Sequence, residues 1–324
     1  MLVSRGLGRK LTVTRGLAPG GAGALGPVAL TIGNFDGVHK GHQAMLARLV
    51  AAARARGLTA TVLTFEPHPR EFFAPQAAPT RLTNLREKLE LLAAHGVERV
   101  HVQRFAAAFA ALSPEAFVAG ALAGTLRARW VLVGDDFRFG AKRAGDFAFL
   151  AGAAARHGYE VEAMPTVAIG AQRVSSSAVR EALARGELAR AQALLGRAYG
   201  ISGRVVHGEK LGRALGFATA NVQLKHNRPP LAGIFAVRAH GIGAAPLPGV
   251  ASLGVRPTVH AAGKPVLEVH LFDFAADLYG AHLRVEFLAK LRDEARYPDL
   301  DTLKAQIARD CAQARDVLKA LENA

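Results

Sequence analysis

Apolar and polar positions follow two rhythms along the chain, and the rhythm changes once. In the N-terminal half, "VALTIG" (28–33) is an apolar run ending in glycine, the pattern of a buried parallel strand. "HQAMLARLVAAARARG" (42–57) follows with helical spacing, Met45, Leu46, Leu49 and Val50 on one face and Gly57 placed to stop it. "TATVLTF" (59–65) predicts the next buried strand. "TNLREKLELLAAHG" (83–96) predicts a second helix with Thr83 as N-cap and Gly96 past its end. "VERVHV" and "WVLVG" predict further strands. Strands alternating with helices imply βαβ units, a parallel sheet and helices on both its faces.

After about residue 200 the period becomes two. "GIFAVRAHGI" (233–242), "VLEVHLFDF" (266–274) and "HLRVEFL" (282–288) alternate, separated by glycine and proline, which predicts a small antiparallel sheet or β-barrel. An amphipathic helix closes the chain, its apolar stripe running through Leu300, Leu303, Ile307, Cys311, Val317, Leu318 and Leu321. "ARGELARAQALLGRAYG" (184–200) bridges the two patterns. The expected domains are 1–186 and 187–324.

A length of 324 residues suits two domains, and 50% hydrophobic residues supply their cores. One cysteine, Cys311, excludes an intramolecular disulfide framework and thiolate-rich metal sites and fits a reducing, cytoplasmic compartment. No apolar run reaches membrane-spanning length. Residues 1–35 lack Asp and Glu and carry Arg5, Arg9, Lys10 and Arg15, as a transit peptide would. "KLTVTRGL" nevertheless alternates like a strand, and a cleaved leader is the disfavoured reading. The net charge of +15 raises nucleic-acid binding. The basic residues are scattered, however, and Trp130 and four tyrosines offer little for base stacking. Anionic small ligands explain the charge equally.

The densest chemistry lies in "GNFDGVHKGH" (33–42), which joins the first buried strand to its helix. Gly33 and Gly37 permit a tight loop and close backbone approach. The helix N-terminus favours phosphate. His39 and His42, at i and i+3, can project together from the first turn toward phosphate oxygens. Taken alone, the stretch also describes a polar turn. "GRVVHGEKLGRALGFATANVQL" (203–224) places Lys210 and Arg213 among Gly203, Gly208, Gly212 and Gly216, as a phosphate-binding loop would. Thr219 and Asn221 follow at i and i+2, a hydroxyl and an amide oxygen suited to Mg²⁺.

"TIGNFDGVHKGH" resembles the signature of the nucleotidyltransferase superfamily, and within it the bacterial bifunctional riboflavin kinase/FAD synthetase family. "TFEPHP" (64–69), "LVGDDFRFG" (132–140) and "VSSSAVREAL" (174–183) are similar to that family's segments, with Ser177 at a usual Thr. The glycine-rich stretch resembles its riboflavin kinase module, with Ala218 at a usual Pro. "GVASLGVRPTV" (249–259) does likewise, with Ser252 where Asn is common. The resemblance spans roughly residues 25 to 310.

It implies a Rossmann-like nucleotidyltransferase domain followed by a β-barrel kinase domain with a C-terminal helix. It also implies roles. His39 and His42 act in adenylyl transfer. Gly33, Asn34, Asp36, Ser176, Ser177 and Arg180 hold ATP phosphates in the first domain; Gly208, Lys210, Gly212 and Arg213 do so in the second. Asp136, Phe137, Arg138, Phe139 and Arg256 contact flavin. Thr219 and Asn221 ligate Mg²⁺, and Glu268 is the base for the ribityl hydroxyl.

By their residues alone, several of these have plainer explanations. Phe137 and Phe139 fit a core, and Asp135 and Asp136 fit a solvated loop. Ser175, Ser176 and Ser177 fit a helix cap, although Arg180 fits capping poorly and a phosphate clamp well. His68 fits a structural role between prolines. Glu268 shares a face with His270 and Phe272 and fits barrel surface. The expected ligands are riboflavin, FMN, FAD, ATP, ADP and pyrophosphate, with neither nucleic acid nor membrane. The rivals are another adenylyl- or cytidylyltransferase, which has no use for "GFATANVQL", and a nucleic-acid-binding protein.

Overall fold

The computed structural model describes residues 2–3, 11–16, 26–170, 172–208, 216–225, 228–255 and 265–323. They form two compact units: Met1–Pro79 with Leu85–Ser175, and Thr80–Asn84 with Ser176–Ala324.

The first unit is built on β1 (Leu2–Val3), β2 (Thr12–Arg15), β3 (Val28–Ile32), β4 (Thr59–Glu66), β5 (Arg99–Arg104), β6 (Ala128–Gly134) and β7 (Glu160–Met164). The sheet order is β1-β2-β5-β4-β3-β6-β7, parallel except for β1, which pairs antiparallel with β2. Thus the "KLTVTRGL" stretch supplies a strand of the sheet. α1 (Lys40–Ala55), α2 (Pro69–Phe73), α3 (Leu85–Ala94), α4 (Ala107–Ala110), α5 (Pro114–Ala116, continued by a π-helix over Phe117–Thr125) and α6 (Phe147–His157) connect the strands.

Because strand side chains alternate, the sheet buries two cores. On one face Ala29, Val62, Val100 and Trp130 meet Leu46 and Leu49 of α1 and Leu92 of α3. On the other, Val28, Leu30, Ile32 and Val131 meet Phe117, Leu122 and Leu150. Helices therefore cover both faces. α3 begins at Leu85, which puts Asn84 rather than the expected Thr83 at the cap position. Gly96 does lie just past the helix, at φ +84°.

In the second unit α7 (Ser176–Ala184) and α8 (Leu188–Leu195) pack together, with Val179, Leu183, Ala191 and Leu195 buried, turning at Gly186 with φ +74°. The boundary expected near 186 falls between these two helices. β10 (Tyr199–Val206), β11 (Ala220–Val222), β12 (Gly233–His240), β13 (Leu247–Val255), β14 (Pro265–Leu271) and β15 (His282–Arg292) close a barrel in the order β10-β11-β14-β13-β12-β15. A two-stranded ribbon, β8 (Ala168–Ile169) with β9 (Gln172–Arg173), precedes α7 in the first unit.

Inward positions of the barrel, among them Ile201, Phe235, Val237, Leu267, Val269, Val285 and Phe287, are fully buried. α9 (Leu300–Glu322) covers outward-facing Ile234, Ala236 and Val250 with Ala314 and Leu318. Its expected stripe is too long: Leu300 and Leu321 at its ends are 56% and 48% exposed. Asp310 fills the middle of the buried face instead, paired with Arg292 through two hydrogen bonds of 2.9 and 2.6 Å.

Candidate functional site

β3 is the strand at which the sheet topology reverses, since β4 lies on one side of it and β6 on the other. The loops leaving β3 and β6 therefore diverge at their carboxyl ends, where ligands bind in open α/β sheets. The stretch after β3 occupies that place. Phe35, Gly37 and Val38 have positive φ, of +46°, +82° and +41°. Such a backbone is strained for Phe and Val. Their side chains are 1% and 0% exposed, so core packing holds the loop in shape. Asp36 is buried with them. A Cβ on Gly33 would sit 3.1 Å from the Phe35 ring, so this glycine is there to let the ring fold back.

His39 is the N-cap of α1. Its Nδ1 accepts the His42 backbone N–H at 3.3 Å, which puts the ring proton on Nε2. The two imidazoles stack with centroids 3.7 Å apart and planes 17° from parallel. Gly41 between them has a reason: a Cβ would lie 3.2 Å from the His39 ring and 3.5 Å from the Val174 carbonyl oxygen. His42 Nδ1 and Asn34 Oδ1 are sealed from solvent and have no hydrogen-bond partner among the described residues. Burial first, then repulsion from His39 when that ring is protonated and from Lys88, push the His42 pKa well below the usual imidazole value. A neutral ring with an unused polar atom at a helix N-terminus is equipped to bond a phosphate oxygen.

Past β6, Asp135 accepts hydrogen bonds from the Thr166 N–H and hydroxyl, both 3.2 Å. Asp136 pairs with Arg173, and Arg138 donates to Asp146 at 2.8 Å. Phe139 is a core side chain packed against Phe117 and Phe149; half-buried Phe137 stacks on it at 5.5 Å. Gly145 makes that burial feasible, because a Cβ there would fall 2.6 Å from the Phe139 ring. His68 caps α2, accepting the Arg70 N–H on Nδ1 while Glu71 accepts its own N–H. Ser176 and Ser177 open α7, and Arg180 lies one turn on, its Nε donating to the Thr80 carbonyl at 2.6 Å. These three belong to the second unit.

On the barrel, Asn221 of β11 lies opposite Glu268 of β14, and Glu268 opposite Ser252 of β13. Leu267, Val269 and Leu271 fill the interior, so Glu268 and His270 point outward. Phe272 lies on their outward side as expected, its ring 5.9 Å from that of His270, but it is buried there in the cluster under α9. The Asn221 side chain rests on the backbone of Gly208, where a Cβ would fall 2.3 Å from its amide nitrogen. Ser252 Oγ donates to Glu294 Oε1 at 3.4 Å. His270 Nδ1 donates to the Ala218 carbonyl at 2.8 Å, fixing the residue before Thr219. Lys210, Gly212, Arg213 and Arg256 lie outside the described residues.

The sequence reading passed over Lys88. It is 3% exposed on α3 and its Nζ reaches Thr64 Oγ1 at 3.5 Å. Its signal was available: Lys88 stands at i+3 from Leu85 and i−4 from Leu92, on the apolar face of the helix.

Comparisons with known proteins follow the same division. Residues 23–178 match the family model described as FAD synthetase, and residues 195–318 the one described as riboflavin kinase. The bifunctional riboflavin kinase/FMN adenylyltransferase of Escherichia coli K12 is 52% identical over 287 residues, 89% of this chain and 91% of that protein. Those of Pseudomonas fluorescens and Haemophilus influenzae are 50% and 45% identical, over 88% and 89% of this chain and 91% and 93% of theirs. A crystal structure from Streptococcus pneumoniae, described as a macrolide-efflux protein, has the same fold: TM-score 0.80 and 28% identity over 93% of this chain and 97% of that one. No helix among the described residues is long and apolar enough to cross a membrane. The histidine loop and the barrel row each fall inside one of two matched segments, and the chain belongs to the bifunctional riboflavin kinase/FMN adenylyltransferase family.

Proposed function

We propose that the histidine loop serves adenylyl transfer and the Asn221–Glu268–Ser252 row serves riboflavin phosphorylation. The chain is a riboflavin kinase and an FMN adenylyltransferase, taking riboflavin to FMN and FMN to FAD. The observation that carries the assignment is that each matched segment holds one cluster of polar groups gathered by the fold.

In the kinase reaction, the ribityl hydroxyl attacks the γ-phosphorus of ATP and ADP leaves. Glu268 accepts the hydroxyl proton, as a carboxylate on an outward strand position can. Gly208, Lys210, Gly212 and Arg213 receive the phosphates, and Arg256 contacts flavin. The Thr219 hydroxyl and Asn221 carbonyl are neutral, hard oxygens that would hold Mg²⁺. When bound, the cation neutralises phosphate charge.

In the adenylyl transfer, an FMN phosphate oxygen attacks the α-phosphorus of ATP and pyrophosphate leaves, with no covalent enzyme intermediate. His39 Nε2–H and His42 donate to phosphate oxygens where charge develops. The Gly33–Asp36 backbone of the first unit binds ATP phosphates, and Ser176, Ser177 and Arg180 at the start of α7 stand as phosphate-binding candidates of the second unit. Phe137, backed by Phe139, offers an aromatic face to flavin, with Asp136 and Arg138 at its edge. The net charge of +15 suits these anionic ligands without nucleic acid, and the lone cysteine suits a cytoplasmic setting. Incubation with riboflavin, ATP and Mg²⁺, followed by chromatography, tests the reading: FMN and then FAD are expected, and absence of either removes the corresponding assignment.

A further inference from the structure

Lysine is almost never fully buried unless its charge is paired. Lys88 is buried within the first unit, and one of its contacts leads into the histidine loop. Its ammonium can only donate, and it donates to Thr64 Oγ1 at 3.5 Å. The Thr64 hydroxyl, fully buried on β4, then gives its own proton to the Asn34 carbonyl at 3.3 Å. The chain of bonds runs one way, from a charge on α3 to the backbone immediately before Phe35, the first left-handed residue of the loop.

We propose that Lys88 is a positioning residue for adenylyl transfer, holding the histidine loop in its reactive shape through Thr64 and supplying a positive charge that acts on His42. The inference rests on the reading of His39 and His42 as phosphate-binding groups. The charges that bear on His42 are that of His39, at the cap of its own helix, when that ring is protonated, and that of Lys88, from α3. The buried acids of the same segments are Asp36 and Glu87. Both charges acting on His42 disfavour its protonation, so the site keeps its cation on Lys88 and its neutral donor on His42.

The test compares Lys88→Met, Lys88→Arg and Thr64→Val for FAD formation from supplied FMN across pH, with Trp130 fluorescence reporting that the sheet is folded. Lys88→Met is expected to lower the rate about tenfold or more. It should also move the acid limb of the pH profile upward by about half a pH unit or more, because His42 then protonates more easily. Lys88→Arg should keep the limb in place. Thr64→Val should lose rate with the limb unmoved, since the charge remains. The inference is overturned if Lys88→Met leaves rate and limb unchanged, or if Met and Arg lose rate equally with no movement of the limb. His42→Ala in the same assay separates the two levels. If it retains full activity, the histidine-site reading falls and this inference with it. If it is inactive while Lys88→Met behaves as the parent, only the role of Lys88 falls.

Discussion

In the α/β half, the candidate side chains are buried and aimed by an irregular loop; in the barrel, they stand on the outward face of regular strands. His39 and Asp36 are 6% and 3% exposed, and their directions depend on left-handed backbone at Phe35 and Val38. Asn221, Glu268 and Ser252 need no such device, because cross-strand register alone aligns them. A loop site trades backbone strain for enclosure around phosphate; a strand site gives alignment and leaves enclosure to the segments around it. Damage should therefore behave differently in the two. In the barrel a side chain can be removed without moving its neighbours. In the loop, even a methyl group matters.

The largest effect should come from Glu268→Ala, which removes the proposed base and lowers riboflavin phosphorylation roughly 10²- to 10⁴-fold. Added Mg²⁺ should not help it, whereas Asn221→Ala, which removes a proposed metal ligand, should recover partly as Mg²⁺ is raised. Initial rates of FMN formation over a Mg²⁺ series check both. His42→Ala should lower FAD formation about a hundredfold, or on the order of 3 kcal/mol, from loss of one donor to developing charge. FMN formation should be untouched, and a normal adenylylation rate would reduce the motif to a turn.

Acid should weaken the α/β half next. Burial lowers the His101 pKa to about 4, with Arg99 adding to it, and pushes His42 down as well. The unfolded chain then takes up these protons before the folded one does. Stability is full above about pH 6.5 and is lost as pH falls toward 4, by about 2 kcal/mol at pH 5 for His101 alone. Trp130, the single tryptophan, is buried in this sheet, so urea midpoints followed by its fluorescence should fall between pH 7 and 5. A flat midpoint would contradict the burial of both rings. The smallest effect is expected from Gly41→Ala. Its Cβ, 3.2 Å from the His39 ring, should shift the imidazole by a few tenths of an ångström and lower FAD formation roughly tenfold. Kinetics at saturating FMN check this, and a full hundredfold loss would mean that the loop itself has collapsed.

The two architectures were legible because each rests on a local period. The alternation in "VLEVHLFDF" placed Leu267, Val269 and Leu271 inside the barrel and Glu268 outside. It put Phe272 outside as well, but did not foretell its burial, which is decided by α9, some forty residues further along the chain. The helix stripe failed at Leu300 and Leu321 because a 23-residue helix overhangs the face it covers. Glycines announced the histidine loop, but not the left-handed Phe35 and Val38, since nothing in residue type foretells a bulky side chain held in that conformation by the core. Buried Lys88 and Asp310 were masked by the expectation that charges face water. The membership of Thr80–Asn84 in the second unit is tertiary, as the Tyr199 hydroxyl bonded to the Leu82 carbonyl at 3.1 Å shows, and no local pattern encodes it.

The most direct test of two independent sites in one chain is a crossed assay of His42→Ala and Glu268→Ala, each given riboflavin with ATP and, separately, FMN with ATP. His42→Ala should convert riboflavin to FMN and stop there. Glu268→Ala should leave riboflavin untouched and turn supplied FMN into FAD at the parent rate. A folded variant in which either single substitution abolishes both conversions would contradict the account.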